Sequence, residues 1–305
     1  MSRIHEALKK AAQERSSRLS SETSLDFVNV ATDVSRTTVP AEDRTSPLLA
    51  DLPPKRDSPV LRFEELVKKC TRHHWQLDPR IDVFHGANSN RTGAESFRTL
   101  RSRLAQIAGT RQLKSVLVTS SLPQEGKTFV AVNLAQSIAR QDRSRVLLID
   151  ADLRISRLHQ ALGAPATPGL TDYLRGEADE IAVIQRGLEG NLCLIPGGSP
   201  VANPSELLLG ERMKYLLERV TPAFDWLVLD SPPALPVHDA SLLADLCDGV
   251  LFVVRAGETD FEVAGKASSE FRNKNLLGVV LNRVEKSESY GGYHYSYTAV
   301  DEKRI

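Results

Sequence analysis

Several runs of consecutive apolar residues, with no alternation of polar and apolar positions, occur in the last two thirds of the chain. Such a run is expected of a β-strand that is covered on both faces, as in a parallel sheet. Segments with helical apolar spacing separate several of these runs. Strand alternating with helix predicts an α/β domain whose mostly parallel sheet is sandwiched by helices. The predicted strands are 115–119, 146–149, 226–229, 250–254 and 276–281, and the predicted helices are 129–140, 205–220, 240–246 and 261–273.

The pattern outside this region divides the chain into four parts. Residues 1–18 place apolar side chains at helical spacing, which predicts a short amphipathic helix. Residues 19–60 are rich in Ser, Thr, Asp, Arg and Pro, and this composition predicts a flexible linker. We expect the globular domain to cover 61–285 and a disordered tail to cover 286–305.

Composition and charge narrow the class of protein. The chain has 305 residues, of which 41% are hydrophobic, and its 39 basic residues balance 39 acidic ones. This balance argues against nucleic acid as a partner. The three cysteines form no CxxC pair, so we expect neither a disulfide framework nor a zinc site, and a reducing, cytoplasmic compartment. No apolar run is long enough for a transmembrane helix, so any membrane connection is expected to come through a partner.

The segment SSLPQEGKT at 120–128 lies between the first predicted strand and a predicted helix. A loop in this place points backbone N–H groups at a bound anion, and the helix dipole adds to the attraction. Lys127 would reach the outer phosphates of ATP and the Thr128 hydroxyl would bind Mg²⁺. Ser121 replaces the first glycine of the Walker pattern, which leaves the lysine and threonine in place. The predicted nucleotide-binding residues of this segment are Gln124, Glu125, Gly126, Lys127, Thr128 and Phe129.

Three aspartates end two further predicted strands. Asp150 and Asp152 follow 146–149, and Asp230 follows 226–229. The carboxyl ends of parallel strands share one edge of a sheet, so these side chains are expected beside the phosphate loop. We favour Asp150 as the general base, and Asp152 and Asp230, with Thr128, at the metal. Ordinary capping of strand ends by aspartate is the alternative.

Taken together, the segments 120–128, 146–154 and 228–233 resemble the bacterial tyrosine kinases of capsule and exopolysaccharide systems. This resemblance implies a P-loop NTPase fold shared with Min- and Par-type partition ATPases, and ATP with Mg²⁺ as cofactors. Partition ATPases usually carry a lysine where this chain has Leu122, which favours the kinase branch. By resemblance to the same ATPases, Asn282 would contact adenine, although a turn asparagine is an alternative reading.

The resemblance also implies partners. Glu95, Arg98 and Arg101 match an E-x-x-R-x-x-R element that forms subunit contacts in a ring, whereas spacing alone indicates a solvated helix face. The family works with a membrane polysaccharide co-polymerase that activates the kinase, here expected as a separate chain, and with a tyrosine phosphatase. The protein would then lie in the cytoplasm, peripheral to the inner membrane.

Four of the six tyrosines lie within the last sixteen residues. The glycine- and serine-rich surroundings cannot join a core, and a twenty-residue flexible segment spans roughly 25 Å and at most about 65 Å. We therefore predict autophosphorylation of this cluster, against the alternative of an ordinary disordered tail. The predicted acceptors are Tyr290, Tyr293, Tyr295 and Tyr297.

The combined prediction is an ATP-dependent protein tyrosine autokinase that regulates polysaccharide synthesis or export. One alternative is a Min/Par-type ATPase switch, which would share the fold and the acids. The other is a nucleotide-binding scaffold for a membrane polysaccharide export protein. Transfer of phosphate to tyrosine, release of free phosphate, or neither outcome would separate the three.

Overall fold

The computed structural model of the chain describes residues 61–84, 91–187 and 191–284. The predicted amphipathic helix in 1–18, the linker 19–60 and the tyrosine-rich tail 286–305 lie outside the described residues. No helix of the described ranges combines the length and apolar character needed to cross a membrane.

The described residues form eight strands and ten helices, numbered here in chain order. The strands are β1 (Thr71–Arg72), β2 (Ser115–Ser120), β3 (Val146–Asp150), β4 (Gln185–Arg186), β5 (Leu192–Ile195), β6 (Trp226–Asp230), β7 (Gly249–Arg255) and β8 (Leu276–Asn282). The helices are α1 (Phe63–Lys69), α2 (Arg91–Ala108), α3 (Lys127–Ala139), α4 (Leu158–Leu162), α5 (Leu170–Leu174), α6 (Glu180–Val183), α7 (Pro204–Leu209), α8 (Glu211–Val220), α9 (Asp239–Ala244) and α10 (Phe261–Ser269).

All eight strands belong to one sheet, in the order β1-β4-β5-β3-β6-β2-β7-β8. Within the described ranges, β4 and β5 form the one antiparallel pair, and the central strands β3, β6, β2 and β7 are all parallel. The carboxyl ends of β2, β3 and β6 therefore meet at one edge of the sheet, as the sequence predicts.

The core lies on both faces of the sheet. All residues of β2 and β3 are buried. Successive side chains of a strand point to opposite faces, so Leu117 and Leu147 belong to one apolar cluster while Val116 and Leu148 belong to the other. Helices cover both clusters. The predicted parallel sheet sandwiched by helices is confirmed.

The segment 205–220 is not the single helix that its apolar spacing predicts. α7 ends at Leu209 and α8 begins at Glu211, because Gly210 between them has an extended backbone with ψ of 150°. Glycine has the largest backbone freedom and a low helix propensity, which favours a break at this position. The helical pattern was correctly assigned on either side of it.

The last strand departs from the prediction of cover on both faces. Val279 and Leu281 in β8 are 53% and 55% exposed, although they belong to an apolar run. β8 is the outermost strand of the sheet and pairs with β7 alone in the described part of the chain. An apolar run identified the strand correctly but did not reveal that it lies at an edge.

Candidate functional site

The loop between β2 and α3 has two residues in the left-handed conformation. Gln124 has φ of 67° and Gly126 has φ of 97°. A Cβ atom at Gly126 would lie 1.9 Å from Nδ2 of Asn282, so the position needs glycine for space as well as for conformation. α3 begins at Lys127, directly after this turn, and its amino end is a suitable place for a bound anion.

The lysine and threonine of the loop contact two of the predicted acids. Lys127 Nζ lies 3.2 Å from Asp152 Oδ2, and the Thr128 hydroxyl donates to Asp230 Oδ2 at 2.6 Å. Asp152 also accepts a hydrogen bond at Oδ1 from the Ile155 amide. The parallel sheet therefore brings the lysine and threonine of the loop to carboxylates that lie more than twenty residues further along the chain.

Asp150 is completely buried at the end of β3. Its Oδ2 atom accepts hydrogen bonds from the Ser156 hydroxyl at 2.7 Å and from the amides of Arg157 and Leu158 at 3.1 and 3.0 Å. Its Oδ1 atom is buried and has no hydrogen-bond partner in the described residues. Burial raises the pKa of Asp150 to about 6, although these three donors oppose the shift.

Asp230 at the end of β6 is equally buried. Burial raises its pKa to about 8, while the charge of Lys127 acts in the opposite direction. As in Asp150, the Oδ1 atom finds no partner among the residues that the structure describes. A buried polar atom without a partner costs free energy, and such atoms are concentrated at sites that bind ligands.

This donor set fits Mg²⁺. The ion prefers oxygen ligands and usually keeps several waters and substrate phosphates in its coordination shell. The Thr128 hydroxyl and the carboxylates of Asp152 and Asp230 supply such oxygens next to the phosphate loop. Within the described ranges, no group of three His, Cys, Asp or Glu side chains could hold a metal ion by itself. The site is therefore suited to a metal that shares its ligands with a nucleotide.

Three other predicted nucleotide-binding residues have contacts within the chain. The Glu125 carboxylate accepts hydrogen bonds from the Leu122 amide and the Thr259 hydroxyl. Asn282 Nδ2 donates to the Glu125 carbonyl at 2.9 Å, so the asparagine amide bonds the loop itself. The Phe129 ring packs edge-on against the Phe97 ring of α2, with centroids 5.7 Å apart.

The predicted interface residues lie on α2, but they differ in their contacts. Glu95 and Arg98 form an exposed ion pair at 2.9 Å. Arg101 donates from Nη1 to the Ser137 carbonyl at 2.6 Å and so joins α2 to α3. Glu95 and Arg98 are thus available to a neighbouring molecule, whereas Arg101 already stabilises the domain.

Two residues near the acids had no signal in the sequence pattern. Asp239 at the start of α9 is buried and accepts from Arg154 Nε at 2.7 Å and from the Ser205 hydroxyl at 2.6 Å. This network fixes the segment that follows Asp152. Thr259 is the second such residue, and it reaches the phosphate loop from the turn after β7.

Comparisons with known proteins agree with this geometry. Residues 116–298 match the family described as the CobQ/CobB/MinD/ParA nucleotide binding domain. The tyrosine-protein kinase YwqD of Bacillus subtilis is 37% identical over 204 residues, which cover 66% of this chain and 86% of YwqD. The succinoglycan biosynthesis transport protein ExoP of Rhizobium meliloti is 35% identical over 65% of this chain but only 26% of ExoP.

A solved structure has the same fold. The kinase domain of the Escherichia coli tyrosine kinase ETK has a TM-score of 0.64 and 32% identity, and the match covers 77% of this chain and 91% of that domain. The chain thus spans most of the shorter relatives and about a quarter to a third of the longer ones. The chain belongs to the CobQ/CobB/MinD/ParA nucleotide-binding family and, within it, to the bacterial tyrosine-protein kinases.

Proposed function

We propose that the protein transfers the γ-phosphoryl group of ATP to tyrosines of its own C-terminal cluster, in a neighbouring copy of the chain. The observation that carries this proposal is the contact of Lys127 and Thr128 with Asp152 and Asp230 at one edge of the sheet. The kinase relatives supply the reaction class, and the tyrosine cluster supplies acceptors within the same chain.

Positioning and electrostatics would provide most of the catalysis, because phosphoryl transfer needs little covalent chemistry from the protein. The amino end of α3 and the Lys127 ammonium group would hold the phosphates and offset their negative charge. Thr128, Asp152 and Asp230 would hold Mg²⁺. When bound, Mg²⁺ neutralises charge on the phosphate oxygens and helps to orient them.

Asp150 is the proposed general base. Its Oδ1 atom has no partner among the described residues and is buried, so binding of the acceptor tyrosine must uncover it. Oδ1 would then accept the phenol proton while the tyrosine oxygen attacks phosphorus in line and ADP leaves. Its Oδ2 atom is held by Ser156 and two amides, so the carboxylate cannot rotate freely. A pKa of about 6 leaves the group largely ionised at neutral pH and close to the value that suits a base.

The cellular setting is part of the same proposal. ExoP is named for succinoglycan biosynthesis transport, and this supports a role in polysaccharide synthesis or export. A separate membrane protein would activate the kinase, a tyrosine phosphatase would reverse its action, and copies would assemble into a ring through Glu95 and Arg98. The protein would then work in the cytoplasm, at the inner membrane.

The test is incubation of the full chain with Mg²⁺ and radiolabelled ATP, alone and with the cytoplasmic part of a membrane activator. We expect label on Tyr290, Tyr293, Tyr295 and Tyr297, located by mass spectrometry. A variant with these four tyrosines changed to phenylalanine should lose the label, while the control Tyr215→Phe in α8 should keep it. Free phosphate without labelled protein would indicate an ATPase switch, and neither product would indicate a scaffold.

A further inference from the structure

Glu125 connects the phosphate loop to the segment that follows β7 and to the last residue of β8. Its carboxylate accepts from the Leu122 amide at 2.7 Å and from the Thr259 hydroxyl, and its carbonyl accepts from Asn282 Nδ2 at 2.9 Å. The Thr259 oxygen in turn accepts from the Arg255 amide at the end of β7. We call these contacts the Glu125 clasp.

The clasp is formed at the most constrained part of the loop. Gln124 and Gly126, on either side of Glu125, both have positive φ angles. A non-glycine residue in the left-handed region is costly and persists only where surrounding contacts hold it there. Glu125 is 3% exposed and has three hydrogen-bonding partners, so it supplies such contacts from the middle of the turn.

The charge of Glu125 indicates that its carboxylate does not contact phosphate. A carboxylate facing a triphosphate would repel it, and a buried carboxylate needs donors on its oxygens. Both Glu125 oxygens already have donors from the chain, one from Leu122 and one from Thr259. Glu125 therefore contributes to the shape of the loop, and Thr259 is the residue outside the loop that fixes its side chain.

We propose that Thr259 is a positioning residue for nucleotide binding, because its hydroxyl holds Glu125 and thereby keeps 122–126 in the conformation that receives phosphate. The inference rests on phosphate binding by this loop and is independent of which group accepts the phosphoryl. Its test therefore measures binding of MgADP, which would be informative even if the protein transferred no phosphate to tyrosine.

Calorimetric titration of the full chain with MgADP compares three variants. Thr259→Val keeps the shape and removes the donor, and we expect the Kd to rise about tenfold, since the lost hydrogen bond is to a charged group. Thr259→Ser keeps the hydroxyl and should stay within about twofold of wild type. Thr221→Val is the matched control, because the Thr221 hydroxyl bonds the Leu217 carbonyl at the end of α8.

A double-mutant cycle with Glu125→Gln tests the route of the effect. Glutamine has one acceptor oxygen where glutamate has two, so it cannot accept from both the Leu122 amide and the Thr259 hydroxyl, and the charge of the acceptor is lost. We expect Thr259→Val to weaken MgADP binding about tenfold in the wild-type background and less than about threefold in the Glu125→Gln background. Thermal unfolding of each variant checks that the domain is folded at the titration temperature.

Three results would overturn the inference. These are a Kd for Thr259→Val within about twofold of wild type, equal weakening by Thr259→Val and Thr259→Ser, or additive effects in the cycle. If Thr259→Val does not fold, Thr259→Ala and Thr259→Ser provide the same comparison of a chain without and with the hydroxyl.

Discussion

The buried acids of the candidate site and the exposed charges of α2 show two different uses of charged residues in one domain. Asp150 and Asp230 are fully buried, and one carboxylate oxygen of each has no hydrogen-bond partner in the described part of the chain. Glu95 and Arg98 are 67% and 54% exposed at the side chain and pair with each other.

The difference lies in the cost of folding. Burying a carboxylate costs free energy that an exposed ion pair never incurs, so the acids at the ends of β3 and β6 weaken the fold. The proposed function accounts for their presence, since it needs both carboxylates. An exposed pair on a helix costs nothing and can be a surface feature or an interface. Neutralising a buried acid should therefore raise stability, whereas neutralising an exposed charge of α2 should change stability little.

The largest effect is expected at the lysine of the phosphate loop. Lys127→Met should lower the rate of tyrosine phosphorylation about 10²–10³-fold, because it removes a positive group where charge develops. The rate is measured with radiolabelled ATP. Lys274→Met is the control, since Lys274 bonds Ser241 and Asp245, and its activity should match wild type. Equal rates for Lys127→Met and wild type would exclude the proposed site.

Next is the pH dependence of the transfer step. Asp150 acts as a base when ionised, and its raised pKa of about 6 means that protonation begins well above the usual carboxyl range. The rate should be level above about pH 7, half-maximal near pH 6, and fall about tenfold per unit below about pH 5. Asp150→Asn should lower the rate about 10²-fold and abolish this limb. A limb near pH 4 in the wild type would assign the base to another group.

Neutralising a buried acid should stabilise the domain while it removes activity. The pKa of Asp230 is about 8 in the folded chain, against 3.8 for the free group, so the folded state holds more protons between these values. Stability of the metal-free protein then falls as pH rises through this window. Asp230→Asn should unfold about 2–4 °C higher than wild type at pH 8, with a smaller gap at pH 5.

Calorimetry in the presence of a chelator measures these melting temperatures. Glu95→Gln, which neutralises an exposed acid, should leave the melting temperature within about 1 °C of wild type at both pH values. A lower melting temperature for Asp230→Asn at pH 8 would contradict the assignment of Asp230 as a destabilising, functional acid.

The smallest effects separate Arg98 and Arg101, the two arginines of α2 that are predicted interface residues. Arg101→Ala should cost about 1–2 kcal/mol in the free energy of unfolding, because the bond to the Ser137 carbonyl is lost. Arg98→Ala should cost less than about 0.5 kcal/mol. Urea unfolding compares the two variants. If the ring is formed through this face, Arg98→Ala should nevertheless lower the assembly mass by light scattering, and an unchanged mass would remove Arg98 from the interface.

The central strands could be predicted because burial on both faces leaves uninterrupted apolar runs in β2, β3 and β6. β1 and β4 contain two residues each, too few to form a pattern, and the four residues of β5 were not recognised as a strand. The segment 205–220 forms two helices because of the backbone conformation of Gly210. A glycine is compatible with both a continuous helix and a break, so the sequence alone does not decide between them. The short length of these strands and the backbone freedom of glycine, more than the polarity of the residues, therefore limit prediction from the sequence.

The acids and the phosphate loop could be placed together because parallel strands share an edge, a rule that needs only the chain order of strands and helices. The roles of Thr259 and Asp239 could not be predicted from the sequence. Thr259 contacts Glu125, which is 134 positions away, and Asp239 contacts Arg154, which is 85 positions away. Neither Thr259 nor Asp239 belongs to a local motif. The contact of Arg101 with α3 was missed for the same reason, since it depends on how two helices pack.

The direction of β8 has a consequence for the distance between the phosphate loop and the proposed acceptor tyrosines. β8 is parallel to β7, so the chain leaves β8 at the carboxyl ends of the strands, where the phosphate loop lies. Asn282, the last residue of β8, donates a hydrogen bond to that loop. From Val284, Tyr290 is six residues further on and can be at most about 20 Å away. If the last strand were antiparallel, the chain would leave it at the amino ends of the neighbouring strands. That point is about one strand length, roughly 23 Å, from the phosphate loop. The direction of β8 thus shortens the length of chain that is needed to bring a proposed acceptor to the phosphate loop.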